Sequence, residues 1–198
     1  RYGAMGASKT ANALMVRYNY EEKGKTAIMI KPDIEDRDGE YVIKSRIGLE
    51  AQCFPISWLK DYILKLKREF PFETHVGGWK DIIGHGIDCI ICDESQFFTE
   101  DDIDLLTSLV DEVGIPVICY GLRTDFRGKL FTASAKLLAE ADVIEEIPTI
   151  CWCGRKAHFN ARVVDGEIVK DGEQIVLGSN DLYVGLCRKH FKEGRIKR

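Results

Sequence analysis

Gly3-Ala4-Met5-Gly6-Ala7-Ser8-Lys9-Thr10 is the stretch that decides the fold class. It stands directly before a run of helical character from about Lys9 to Lys23 and follows, with one departure, the pattern G-x-x-x-x-G-K-[ST]. Small residues let successive backbone N–H groups curl around phosphate oxygens. A helix that begins there turns its positive end toward the same anion. Lys9 would then reach the β and γ phosphates, and the Thr10 hydroxyl would bind Mg²⁺. The departure is Ser8, where the pattern carries glycine. If the backbone there has φ > 0, serine bears a strain that glycine does not. Taken alone, the same residues also suit an ordinary strand–turn–helix connection with an exposed lysine. The chain opens at Arg1 rather than at a methionine, so a first strand completed by residues upstream is expected.

Working outward, strand and helix signals alternate through residue 148. Thr26–Ile30, Ile87–Cys92 and Ile115–Tyr120 are short, nearly continuous apolar runs, the signature of strands covered on both faces in a parallel sheet. Gly24 is a plausible cap for the first helix. A second helix is expected over Ser57–Phe70, with Leu59, Ile63, Leu66 and Phe70 on one face. Thr99, with Asp102 three residues on, marks the start of a third, whose buried face would carry Ile103, Leu106, Val110 and Val113. Strands alternating with helices imply a parallel α/β sheet with right-handed crossovers.

The pattern changes near Pro148. Short β-like runs follow at His158–Val164, Gln174–Leu177 and Leu182–Leu186, and Val164-Asp165-Gly166-Glu167 reads as a hairpin. The expected division is therefore a phosphate-loop domain over 1–148 and a small second lobe over 149–198.

Two further constellations carry chemistry. The apolar run ending at Cys92 leads straight into Asp93-Glu94-Ser95-Gln96. A carboxylate at the C-terminal end of a buried strand lies where open α/β sheets bind ligands. With the phosphate loop and this strand side by side in the sheet, Asp93 would act on Mg²⁺, directly or through water. Glu94 would serve as base toward a substrate hydroxyl. Without the phosphate loop, the same acidic pair is an ordinary solvated loop start. In the second lobe, Cys151-x-Cys153 is answered by Cys187-x-x-His190. Two tight pairs on separate β-rich segments are the pattern of a closed, structural Zn²⁺ site. Such a metal would staple a lobe too small to fold on its own core. A redox pair or a disulfide are the competing readings.

Composition narrows the function classes. Hydrophobic residues make up 45% and charged residues 30%, a globular profile. The formal net charge of −4 supplies no basic field for a nucleic-acid backbone, so a small-molecule partner is expected and no nucleic acid. No apolar run approaches the roughly 20 residues that span a bilayer, so no membrane partner is expected. Cys53, Cys89, Cys92 and Cys119 are scattered, three of them in apolar runs, and the total of seven is odd. Buried free thiols suit a reducing cytosol, and a cytoplasmic location is expected.

Together, Gly3–Thr10, Asp93-Glu94-x-Gln96-Phe97, Tyr120–Gly128, Ile150–Ala157 and Leu186–His190 resemble the zinc-containing thymidine kinases. The C-x-C form of the first pair resembles the enterobacterial branch of that family. The resemblance spans essentially the whole chain, in order. It implies a RecA-like α/β P-loop sheet flanked by helices, with a zinc-binding β lobe. It also implies ATP-dependent phosphorylation of the thymidine 5′-hydroxyl. Residue by residue, it implies that Gly3, Ala4, Met5, Gly6, Ala7, Ser8, Lys9 and Thr10 hold ATP phosphates. Asp93 and Gln96 would line the phosphate and Mg²⁺ region, and Glu94 would be the general base. Phe126 would pack on the thymine ring. Gln174, Ile175, Val176, Leu177 and Gly178 would hydrogen-bond the base through their backbone, and Tyr183 would close over the nucleoside. Cys151, Cys153, Cys187 and His190 would bind one structural Zn²⁺. It further implies a homotetramer inhibited by the end product dTTP.

Read from the residues alone, Phe126 and Tyr183 are equally plain core aromatics, and Arg37, Arg46, Arg123 and Arg127 are all candidates to stabilise phosphate charge. Two other classes compete: a P-loop ATPase or GTPase that couples hydrolysis to a partner, and a zinc-ribbon nucleic-acid module, which the net charge disfavours.

Overall fold

The computed structural model describes residues 1–35, 38–69, 86–174 and 182–197, with Leu182 described in its backbone only. They form two compact units, Thr10–Tyr120 and the combination of Arg1–Lys9 with Gly121–Arg198.

The Thr10–Tyr120 unit is built on a parallel sheet. Its strands are β1 (Ala27–Lys31), β4 (Phe54–Pro55), β5 (Cys89–Cys92) and β6 (Val117–Cys119), in the order β4-β1-β5-β6. All three pairings are parallel. Every residue of β5 is buried, which explains its unbroken apolar run. The order corrects one expectation. The neighbours of β5 are β1 and β6, whereas Tyr2, just before the phosphate loop, bridges Gly121 and Glu146. The strand carrying Asp93 is therefore not paired with the segment that enters the loop. Apolar runs identify strands, but their order in the sheet follows from crossover lengths and directions, which local sequence does not encode. A short antiparallel hairpin, β2 (Val42–Lys44) with β3 (Glu50–Gln52), completes the strands of this unit among the described residues.

The helices follow their sequence signals closely. Helix α1 (Lys9–Glu21) is followed by Gly24 at φ 68. Helix α2 (Ile56–Glu69) buries Ile56, Leu59 and Ile63, while Phe70 lies outside the described residues. Helix α3 (Glu100–Ser108) opens on a full capping box: the Thr99 side chain accepts from Asp102 N, and the Asp102 carboxylate accepts from Thr99 N. One detail departs from helical periodicity. Leu109–Val113 is a π-helical turn, and Leu109 is buried with Val113, not Val110.

In the other unit, β7 (Phe159–Val164) is paired antiparallel with β8 (Glu167–Val169) and β9 (Leu182–Leu186). The β7–β8 turn has Asp165 at φ 51 and Gly166 at φ 83, the two positive values that a type I′ hairpin demands. Helices α4 (Thr132–Glu140) and α5 (Arg188–Glu193) belong to the same unit. Its core gathers Ala4, Cys151, Ala157, Ala161, Leu186, Cys187 and Phe191.

Candidate active site

In the unit containing Arg1–Lys9, the phosphate loop is closely tailored. A Cβ on Gly3 would sit 2.4 Å from the Ile147 carbonyl oxygen and 2.8 Å from Ala7 Cβ, so only glycine fits. Gly6, at φ 81, has open space around it; its glycine serves the backbone angle rather than packing. Lys9 is buried and donates to the carbonyls of Gly3, at 3.1 Å, and Ala4, at 3.4 Å, lying back across its own loop. Met5 N donates to Asn160 Oδ1 at 2.7 Å, and Asn160 Nδ2 donates to the Thr124 carbonyl at 2.9 Å. Asn160 is a buried amide that the sequence pattern did not single out. Ser8 stands at φ 55, so the loop does require the left-handed backbone at the position where the motif carries glycine.

In the Thr10–Tyr120 unit, the Thr10 hydroxyl donates to Asp93 Oδ2 at 2.7 Å. These are the two residues expected at Mg²⁺. Asp93 is buried at the end of β5, its amide donating to the Ile30 carbonyl at 2.9 Å. Glu94 follows at φ 49 and starts a 3₁₀ turn, Ser95–Phe97. Ser95 pins that turn, donating through both its amide and its hydroxyl to the Tyr120 carbonyl, at 2.9 and 2.6 Å. Gln96, buried, donates through Nε2 to Glu94 Oε2 at 2.6 Å. Among the described residues only Ser8, Glu94 and Asp165 are non-glycines at positive φ. One is the hairpin turn; the other two lie in the Gly3–Thr10 loop and at the end of β5.

The sulfur and nitrogen atoms of Cys151, Cys153, Cys187 and His190 all lie within 4.8 Å of one another. Cys151 Sγ is 3.4 Å and Cys187 Sγ 3.5 Å from His190 Nδ1, and Cys153 Sγ is 3.9 Å from Cys187 Sγ. A tetrahedron with Zn–S of about 2.3 Å and Zn–N of about 2.0–2.1 Å has edges near these lengths, so the donor set and spacing fit Zn²⁺. Two local features hold the donors. Gly154, at φ 82, donates its amide to the Cys151 carbonyl and tightens the first pair. Cys187 directly precedes α5, which carries His190, and the His190 ring stacks on Trp152 with centroids 4.1 Å apart. All seven cysteines are free, so no disulfide competes.

Of the residues expected to hold a nucleoside, Phe126 is buried at 1% exposure, with the guanidinium carbons of Arg127 and Arg162 at 5.6 and 5.5 Å from its ring centroid. Tyr183 lies on β9, in register with Arg162 on β7. Gln174 donates to Asp125 Oδ2 at 3.0 Å. Ile175, Val176, Leu177 and Gly178 lie outside the described residues, as does Arg37. Arg46 is exposed, Arg123 lies over the Tyr2 ring and Arg127 is paired with Asp125. Asp125 itself was not singled out from the sequence, although Asp-x-Arg-Gly is a turn signal. Burial works against its ionisation, but donors from Arg127, Lys129 and Gln174 outweigh it and hold the carboxyl below its usual range.

The thymidine kinase family model matches residues 1–191. The chain is 40% identical over 200 residues to the thymidine kinase of Francisella tularensis subsp. holarctica, covering 98% of this chain and 95% of the relative. It is 42% identical over 193 residues to that of Photobacterium profundum, with 97% and 94% covered, and 39% identical over 193 residues to that of Shewanella oneidensis, with the same coverage. On a match of this extent, the chain belongs to the thymidine kinase family.

Proposed function

We propose that this protein transfers the γ-phosphoryl group of ATP to the 5′-hydroxyl of thymidine, giving dTMP and ADP. The observation that carries the reading is the acidic strand end: a buried Asp93 joined to Thr10 and followed by a Glu94 held in a strained backbone by its neighbours, in a chain of this family. Glu94 accepts the 5′-hydroxyl proton as the oxygen attacks phosphorus. Gln96, donating to Glu94 Oε2, fixes the direction of that carboxylate. Lys9 and the amides of Gly3–Thr10 bind the phosphates and meet the charge that develops on the transferred group. Thr10 and Asp93 are the residues that would hold Mg²⁺, which supplies charge neutralisation between the phosphates. Phe126, Tyr183 and the segment from Gln174 to Gly178 form the nucleoside site. Residues 149–198 act as the lobe that covers it, and Cys151, Cys153, Cys187 and His190 hold a structural Zn²⁺. Four protein donors leave no open metal position, so that metal organises the fold and activates no water. A cytoplasmic homotetramer inhibited by dTTP completes the reading.

The test is purified protein with Mg-ATP and a panel of nucleosides, the phosphorylated product being identified. Thymidine-dependent formation of dTMP is expected. ATP turnover that is independent of every nucleoside would overturn the reading in favour of a hydrolase.

A further inference from the structure

Asp125 is 2% exposed, and its side chain is fully out of water. A carboxylate in that position is costly unless it is thoroughly hydrogen-bonded, and this one is. Its two oxygens divide their partners. Oδ1 accepts from the amides of Arg127 and Lys129, both at 2.9 Å, which closes the turn Asp125–Lys129. Oδ2 accepts from Arg127 Nε at 2.9 Å, from an Arg127 terminal nitrogen at 2.8 Å and from Gln174 Nε2 at 3.0 Å. Closing a turn needs only the first oxygen. The second reaches a residue 49 positions away and grips a guanidinium that itself lies against the Phe126 ring.

We infer that Asp125 is a positioning residue for the nucleoside. Through Oδ2 it sets Gln174, and Arg127 against Phe126, in one fixed arrangement. The inference rests on the reading that Phe126 and Gln174 serve the nucleoside. It adds the group that ties them together and assigns its effect to thymidine binding rather than to phosphoryl transfer. Removing the Oδ2 acceptor leaves Arg127 and Gln174 free to turn away, which raises KM for thymidine. Neither the phosphate loop nor Glu94 depends on Oδ2, so kcat and KM for ATP stay near their starting values.

Three variants test this. Asp125→Asn can keep the turn through its remaining oxygen but presents an amide where Arg127 and Gln174 need an acceptor. Gln174→Glu keeps shape and sets a second carboxylate against Asp125. The double variant Asp125→Asn/Gln174→Glu exchanges donor and acceptor across the contact. Each single variant is expected to raise KM for thymidine about tenfold, the size of one charge-assisted hydrogen bond, with kcat changed by less than about threefold. The double variant re-pairs positions 125 and 174 but not the two Arg127 donors, so it is expected to recover only the part of the loss that belongs to Gln174 and to have a lower KM than the worse single variant, which a merely structural role would not predict. Wild-type thymidine phosphorylation, measured first, decides the functional reading; the variants decide Asp125. Unchanged KM in Asp125→Asn, a fall in kcat instead, or a double variant as impaired as the worse single one would each overturn the inference. If Asp125→Asn fails to fold, the pair Gln174→Glu and Gln174→Ala takes its place, because neither touches the Oδ1 turn. Elevated KM in both supports the inference, and normal KM in both removes it.

Discussion

Replacing Ser8 by glycine probes the strain in the phosphate loop directly. Ser8 stands at φ 55, where an L-residue with a Cβ costs roughly 1–2 kcal/mol relative to glycine. Its side chain is exposed, so glycine forfeits little packing. Against the relief stands the greater freedom of glycine in the unfolded chain, about 0.4–1 kcal/mol. The net expectation is a gain between about 0 and 1.6 kcal/mol, which for a chain of this size is a rise in Tm of up to roughly 6 °C. Ser8→Ala keeps the Cβ and the strain but removes the hydroxyl, so its Tm stays near that of the starting protein. Thermal unfolding of the three proteins, with KM for ATP alongside, separates backbone from hydroxyl. A lower Tm in Ser8→Gly would refute the assignment of strain to the backbone. A loss of ATP affinity shared by Ser8→Gly and Ser8→Ala would show instead that the hydroxyl itself contacts the nucleotide.

Glu94→Gln is expected to lower kcat by about 10²–10⁴-fold while equilibrium thymidine binding persists; near-normal turnover would remove Glu94 as the base. Metal analysis should find about one zinc per chain, and both chelation and Cys187→Ser should raise KM for thymidine before ATP binding suffers, since metal binding is also folding energy for the lobe. Full thymidine affinity in zinc-free protein would contradict that role. Asp102 is opposed by burial, but Lys60 at 2.5 Å and the Thr99 donors outweigh it and hold its carboxyl below the usual range. A depressed carboxyl contributes stability that is complete above the unfolded value of about 3.9 and is lost as pH falls through the folded one. The stability difference between wild type and Asp102→Asn should therefore be full at neutral pH and close in acid. A difference that persists unchanged at the lowest pH would sink the account.

The local devices of this protein were legible because each is written within a few residues. The phosphate loop at Gly3–Thr10, the capping box of Thr99 and Asp102, the Asp165-Gly166 turn and the two metal-binding pairs depend on backbone angles and side chains that lie close together in the chain. Periodicity carried the strands and helices for the same reason, and it missed one position, Leu109, which is buried where Val110 was expected. The strain at Ser8 could be posed from the motif as a question, and only the backbone angle answered it. The tertiary structure decided what joins distant residues. It placed β5 between β1 and β6 and brought Thr10 to Asp93, 83 positions away, and Gln174 to Asp125, 49 away. Such contacts are made when the whole chain closes on itself, and their geometry follows from strand order and register rather than from any local pattern of residues.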